Sequence, residues 1–442
     1  MIWNSRQFRL YSLGGLGLLL ALLVLLLHEA FSAEVDPAVP VRSSEMQPMS
    51  ASTAQVTSPA RVAPSPTPVP YLAHQVGAPP TPTPLPHTKT VARGFLHTEG
   101  AKIVDAEGNE VRITGVNWFG METGTFAPHG IWARRWEDML KLVADLGFNT
   151  IRLPYSNDVF DPNSKPNGID FNQNPDLQGL TPVEIMDKIV EGAGQLGLKI
   201  ILDRHRPDQN SQSNLWYTDK VSTERWIEDW KRLAQRYRGN DTVIGADLHN
   251  EPHGGATWGD GNPNTDWRMA AEKAGNAILS INPDWLIIVE GIDTYKGDSY
   301  WWGGNLEGVS DAPVRLAVPN KLVYSAHDYG PGVYNQPWFL DPSFPNNLPG
   351  IWDLHWAYVQ REGIAPVLMG EFGGRSVGKD VEGVWQRSLM KLLKERGIHY
   401  TYWALNPNSG DTGGVLLDDW KTVDEAKRAM LSEYQWPVMR QK

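Results

Sequence analysis

A recurring pair restricts the fold of this chain more than any other feature: a short apolar run with a polar C-terminal end, alternating with amphipathic helical patterns. Runs of this kind occupy residues 111–117, 150–155, 200–205, 243–250, 286–291, 322–329, 367–371 and 400–406. Their length and β-branched content read as buried strands. Helical periodicity fills 132–146, 182–196, 223–237, 267–281, 381–396 and 423–431. One of these helices opens with Thr181-Pro182-Val183-Glu184, a capping residue, then proline at the first helical position, then an early acid. Eight strands alternating with helices across residues 91–442 predict an α/β protein of the (β/α)8 TIM barrel class. Periodicity alone would also fit a doubly wound open sheet, and the placement of the polar residues favours the barrel.

Almost every run ends in a chemically capable residue: Asn117-Trp118, Arg152, His205, Asn250-Glu251, Glu290, His327 with Tyr329, Glu371 and Trp403. One such residue is an ordinary satisfied strand end. A set spread over eight strands is expensive to desolvate unless its members converge on a cleft and on each other. In a barrel they converge at the C-terminal mouth, where active sites lie. Glu251 follows the fourth strand and Glu371 ends the seventh, which places two carboxylates across the mouth from one another. Two facing carboxylates are the minimal machinery of glycoside hydrolysis.

Composition narrows the alternatives. The formal net charge is −11 with the signs interspersed, which argues against a nucleic-acid partner. The absence of cysteine removes disulfides, thiolate nucleophiles and cysteine-ligated zinc. His205, Asp208, His249 and His253 invite a metal reading, but their spacing matches no zinc pattern. We therefore expect no metal and no cofactor. The 19 tryptophans serve mostly as packing, with some indoles suited to stacking on pyranose rings.

The first 33 residues read as an export signal or an N-terminal membrane anchor. Arg6 and Arg9 precede an uncharged, Leu-rich run over residues 11–27, and Ala30-Phe31-Ser32 offers small residues for cleavage. Both readings imply export, giving either a secreted protein or one held at the outer face of the cytoplasmic membrane. Residues 34–90 are rich in proline, threonine and serine, as in Pro79-Pro80-Thr81-Pro82-Thr83-Pro84. Such a stretch sustains neither helix nor inner strand and serves as a spacer. The catalytic barrel is expected over 91–442, as a monomer.

The motif strings resemble the cellulases of glycoside hydrolase family 5, and look most like those of the Acidothermus type. The resemblance rests on Ile151-Arg152-Leu153-Pro154-Tyr155, Leu202-Asp203-Arg204-His205-Arg206-Pro207 and His249-Asn250-Glu251-Pro252-His253. Ser299-Tyr300-Trp301-Trp302-Gly303-Gly304-Asn305-Leu306, Ser325-Ala326-His327-Asp328-Tyr329 and Gly370-Glu371-Phe372-Gly373 extend it, and Ser409-Gly410-Asp411-Thr412-Gly413-Gly414 completes it. It implies a retaining endo-β-1,4-glucanase acting on β-1,4-glucan polysaccharide or oligosaccharide, with Glu251 as acid/base and Glu371 as nucleophile. Asn250 would bind the sugar 2-hydroxyl, Arg152 and Tyr329 would hold Glu371, and His205 and His327 would line the cleaving subsite. Trp403 would be a sugar platform, with Trp118, Trp216, Trp301 and Trp302 as further stacking candidates; of the adjacent pair 301–302, one is expected to face the cleft. The same fold could act on mannan, xyloglucan or mixed-linkage glucan, or bind carbohydrate without cutting it. Members of the family carry cysteines in loops where this chain has Thr125, Gln209 and Trp258, which puts the stiffness of those loops in question.

Overall fold

A computed structural model describes residues 93–437, so the expected leader and spacer lie outside the described residues. Eight parallel strands close into a barrel: β1 (Thr114–Asn117), β2 (Thr150–Ser156), β3 (Lys199–Arg206), β4 (Val243–Asp247), β5 (Leu286–Glu290), β6 (Leu322–His327), β7 (Val367–Glu371) and β8 (His399–Tyr402). The last pairs the first, with Tyr400 opposite Thr114, and β5 pairs β6.

Seven helical segments surround the barrel among the described residues. They are α1 (Trp136–Asp145), α2 (Pro182–Gln195), α3 (Thr223–Arg236), α4 (Trp267–Leu279), α5 (residues 348–361), α6 (Val381–Arg396) and α7 (Glu425–Ser432). The expected start of α2 is present as a full capping box between Thr181 and Glu184. The α5 segment contains a π turn over Asp353–Ala357, and it escapes sequence periodicity because Pro349, Gly350 and that turn break the helical repeat. No α-helix separates β5 from β6. The chain there forms a small hairpin, Thr294–Tyr295 with Asp298–Ser299, and a short turn at Glu307–Val309.

Several strands are shorter than their apolar runs. The run at 111–117 is divided, since Val111 pairs in a three-stranded antiparallel sheet below the barrel and β1 begins at Thr114. β4 stops at Asp247, so Leu248, His249 and Asn250 belong to the loop at the mouth.

Alternation along the strands explains the site. On β3, Ile201 belongs to the cluster with Ile244, Leu286, Ile288, Val323 and Leu368 at the barrel floor, together with Ile103 and Val111 of the small sheet and Leu96 just before it. Ile200 and Leu202 belong instead to the cluster shared with the helices. One period above Ile201 on the inward face come Asp203 and then His205, so the interior changes from apolar floor to charged mouth within a single strand.

Candidate active site

At the mouth, Arg152 of β2 is fully buried and reaches side chains from β1, β3, β4, β5 and β7. Its Nη1 donates to Glu371 Oε1 at 2.6 Å and to Asn117 Oδ1 at 3.0 Å. Its Nε donates to Asp247 Oδ2 at 2.9 Å, and Nη2 to Asn250 Oδ1 at 2.8 Å and Glu290 Oε1 at 3.1 Å. Asp203 Oδ2 lies 3.1 Å from Nη1. A planar fork of five donors is what permits one side chain to serve acceptors from so many strands.

Glu371 receives a second bond from the Tyr329 hydroxyl, which donates to Oε2 at 2.6 Å. Glu251 is held differently. His327 Nδ1 lies 3.0 Å from its Oε1, and Gln212 Nε2 donates to its Oε2 at 2.8 Å. The Glu251 backbone sits in the left-handed region, with φ of 51°, and its N–H donates to Glu290 Oε2 at 2.7 Å. That bond holds a conformation a non-glycine residue rarely adopts. One carboxylate oxygen of Glu251 lies within 4.8 Å of one of Glu371.

Two cations, Arg152 and the imidazole of His327, face five carboxylates, so the cluster keeps protons that isolated acids would lose. Burial raises Asp203 to about 7 and Asp247 to about 6, against the pull of Arg152. Burial also raises Glu371, although His327 and Arg152 draw it back. Burial works to lower His327, but Glu290, Glu371 and the hydrogen bond to Glu251 override it and lift it well above the usual range. Burial works to raise Glu251 too, and there the His327 bond and charge with the Gln212 bond win, leaving it low. Both directions favour the proton on the imidazole over the Glu251 carboxylate. His205 is held neutral, at about 4, chiefly by burial.

These groups open into a cleft of about 560 Å³ whose walls include Trp301, Trp302, Tyr334 and Trp403. Trp403 is half-buried, stacks near-parallel to Phe119 and His205, and donates from its indole nitrogen to Ser409 Oγ at 3.1 Å.

Residues 104–409 match the family described as Cellulase (glycosyl hydrolase family 5). The chain belongs to that family. An endoglucanase of Paenibacillus polymyxa is 58% identical over 351 residues, covering 78% of this chain and 88% of its own. The major extracellular endoglucanase of Xanthomonas campestris pv. campestris is 44% identical over 336 residues, covering 75% and 69% respectively. Among solved structures, the hyperthermophilic endocellulase of the archaeon Pyrococcus horikoshii aligns with a TM-score of 0.73 at 45% identity, covering 77% of this chain and 98% of that one.

In this family-5 cellulase domain the structure gathers Arg152, His205, Asn250, Glu251, His327, Tyr329 and Glu371 at one place, and both members of the Trp301–Trp302 pair line the cleft. The expectation that one of the two faces it is thus corrected: Trp301 is mostly buried in the wall, and Trp302 is half exposed on its rim. Trp118 and Trp216 do not meet the expectation of sugar stacking. Trp118 is fully buried with its indole nitrogen bonded to His129 O, and Trp216 is packed against Trp226 and Trp267 with its nitrogen on Thr223 Oγ1. Neither has a ring face open to a ligand.

Sequence reasoning passed over Gln212, Asp203 and Asp247 as members of the site. Asp203 stands inside one of the motifs above and Asp247 ends β4, both at inward strand positions, so inward–outward alternation could have found them; Gln212 sits in a loop with no periodic signal. The loops in question for lack of cysteine are held by other contacts. Thr125 Oγ1 donates to Gly120 O at 2.9 Å, the Gln209 N–H donates to Asp158 Oδ2 at 3.0 Å, and Trp258 is buried with its indole nitrogen on Ala312 O at 2.9 Å.

Proposed function

We infer that this chain is a retaining endo-β-1,4-glucanase in which Glu371 is the nucleophile and Glu251 the acid/base. The observation that carries the reading is the approach of their carboxylate oxygens to within 4.8 Å. Retaining glycosidases hold the pair about 5–5.5 Å apart, whereas inverting ones leave about 6.5–9.5 Å for a water.

In the first step a Glu371 oxygen attacks the anomeric carbon while Glu251 protonates the departing glycosidic oxygen, so the C–O bond to the leaving sugar breaks as the glycosyl ester forms. Arg152 and Tyr329 aim Glu371 and stabilise its charge. Glu251 draws its proton from His327 across their hydrogen bond. In the second step Glu251 takes a proton from water, which displaces Glu371 and returns the sugar with its original configuration. Asn250 turns its oxygen to Arg152, which leaves its buried Nδ2 with no protein acceptor and available to the sugar 2-hydroxyl. Trp403 supplies a platform, with Trp301 and Trp302 also lining the cleft and His205 beside the cleaving subsite.

An open cleft suits cutting within a glucan chain, and the names of the relatives as endoglucanases agree with that substrate. The Leu-rich run over residues 11–27 and the extracellular relative support export of the enzyme. No helix among the described residues is long and apolar enough to cross a membrane.

The test follows cellotetraose hydrolysis by proton NMR, where the β-anomer must appear first; initial α-anomer would overturn retention. Parent rates in Glu371→Ala would remove Glu371 from the mechanism. Mannan cleaved faster than carboxymethyl cellulose or lichenan would overturn the substrate.

A further inference from the structure

A second set of ligand-type side chains converges from two places, the connection between β5 and β6 and the α5 segment that follows β6. His355 lies in the π turn of α5, Asp298 on the small hairpin, and Glu307 at the start of the following short turn. His355 is almost fully buried. Its Nδ1 lies 2.7 Å from the carbonyl oxygen of Ile351, which can only accept, so Nδ1 carries the hydrogen. In the neutral ring the Nε2 lone pair is then free, and this buried atom has no hydrogen-bond partner. It points at Asp298 Oδ2, 3.7 Å away, and Glu307 Oε1, 3.9 Å away.

The ring cannot turn to find another partner. Tyr300 stacks on it at 4.0 Å with 14° between planes. Asn305 Nδ2 fixes the rest of the set, donating to Glu307 Oε1 at 3.0 Å and to the Asp298 carbonyl at 3.3 Å. The spacing is too long for hydrogen bonds from a protonated imidazole. It lies a few tenths of an ångström beyond the roughly 3.4 Å that separates ligands held at 2.0–2.2 Å around a tetrahedral ion. The Asp298 side chain is about half exposed, which leaves a path for an ion and a water to complete the shell.

We propose that Asp298, Glu307 and His355 form a divalent-metal site of the zinc class, one imidazole and two carboxylates with water in the fourth position. The imidazole nitrogen selects a borderline first-row ion over calcium or magnesium, which take oxygen ligands. The three ligands come from separate segments, and residues 299–306 between two of them carry Trp301 and Trp302 on the cleft wall. An ion here ties that wall to α5. The sequence expectation of no metal tested only His205, Asp208, His249 and His253; this set is invisible to spacing because its members are far apart in the chain. The inference does not depend on the glucanase reading.

The test titrates zinc into the chelator-stripped full chain by calorimetry, with cobalt absorbance reporting the coordination. The expected result is one saturable site per chain, weakened at least tenfold in Asp298→Asn and in His355→Asn. At a zinc concentration a hundred times Kd, binding multiplies the folded-to-unfolded ratio about a hundredfold, read as a Tm rise in the parent that Asp298→Asn lacks. Asp298 is exposed, so its variant decides the matter even if His355→Asn fails to fold. Absence of a saturable site, or binding unchanged in Asp298→Asn, overturns the proposal. So does displacement of the ion by cellotetraose, which would place it at the Glu251–His327–Glu371 cluster instead.

Discussion

His327 Nδ1 lies 3.0 Å from Glu251 Oε1, and on its other side His327 Nε2 lies 3.4 Å from Glu290 Oε1. The imidazole and Glu251 therefore titrate as one unit, and the alkaline limb of the pH–rate profile belongs to the pair. His327→Gln leaves Glu251 to hold the acid proton without the imidazole reservoir, so the alkaline limb of kcat/KM should move to lower pH. Activity at pH 7 should fall about 10²-fold. Gln212→Leu should do the opposite on a smaller scale. It removes a donor that favours the charged carboxylate, so Glu251 rises and the limb moves to higher pH. Profiles of kcat/KM for both variants check the signs; limbs that stay in place would remove His327 and Gln212 from proton supply.

Arg152 is fully buried and reaches four carboxylates, Asp203, Asp247, Glu290 and Glu371. Arg152→Met should destabilise the fold by about 3–5 kcal/mol, because the acids it leaves are buried and uncompensated. Arg152→Lys keeps the charge but cannot fork, and one ammonium cannot reach acceptors from β1, β4, β5, β7 and the loop after β4 together. Its fold should survive better than its activity. Denaturant melts beside kcat/KM on cellotetraose separate the two; equal losses in both variants would make the charge alone sufficient.

At Gly303 the φ is +68°, and a Cβ would lie 2.4 Å from Glu290 Oε2 and 3.1 Å from the Glu251 Cα. Gly303→Ala must therefore push on Glu290 and Glu251, the two residues joined by the bond that holds the Glu251 backbone. We expect a stability loss of about 1–3 kcal/mol and a larger effect on kcat/KM, on the order of 10²-fold. A variant with parent kcat/KM would show that the Glu251–Glu290 contact tolerates displacement.

The barrel was legible because each inward face follows one rule, visible in Ile201, Asp203 and His205 of β3. Glu251 and Glu371 were legible for the same reason, since strand ends four and seven must face one another. Trp118 and Trp216 were not. An indole that stacks on a sugar and one that packs in a core have the same neighbours in sequence, and only burial separates them. Gln212 was illegible because loop geometry, rather than any period, delivers it to Glu251. Asp298, Glu307 and His355 meet through a hairpin, a turn and a π bulge, none of which leaves a repeat to read.

His399 begins β8 near the barrel floor, buried, with Nδ1 accepting from the Ile113 N–H at 3.1 Å. Burial, helped by Arg112, lowers its pKa to about 3. The unfolded chain takes up a proton below about 6.5 that the folded chain refuses. The stability from this group is thus complete above pH 6.5 and is lost as pH falls toward 3, by about 1.4 kcal/mol per pH unit. Asp203 and Asp247 act with the opposite sign, since their raised values favour the folded state as they protonate below about 7 and 6. Total stability mixes the two, so the comparison must be between parent and His399→Asn, whose amide oxygen can still accept from Ile113. The variant should be less stable at pH 7, and the gap should narrow steadily between pH 6.5 and 4 in urea titrations. A gap that stays constant with pH would mean that His399 protonates as readily in the folded chain as in the unfolded one.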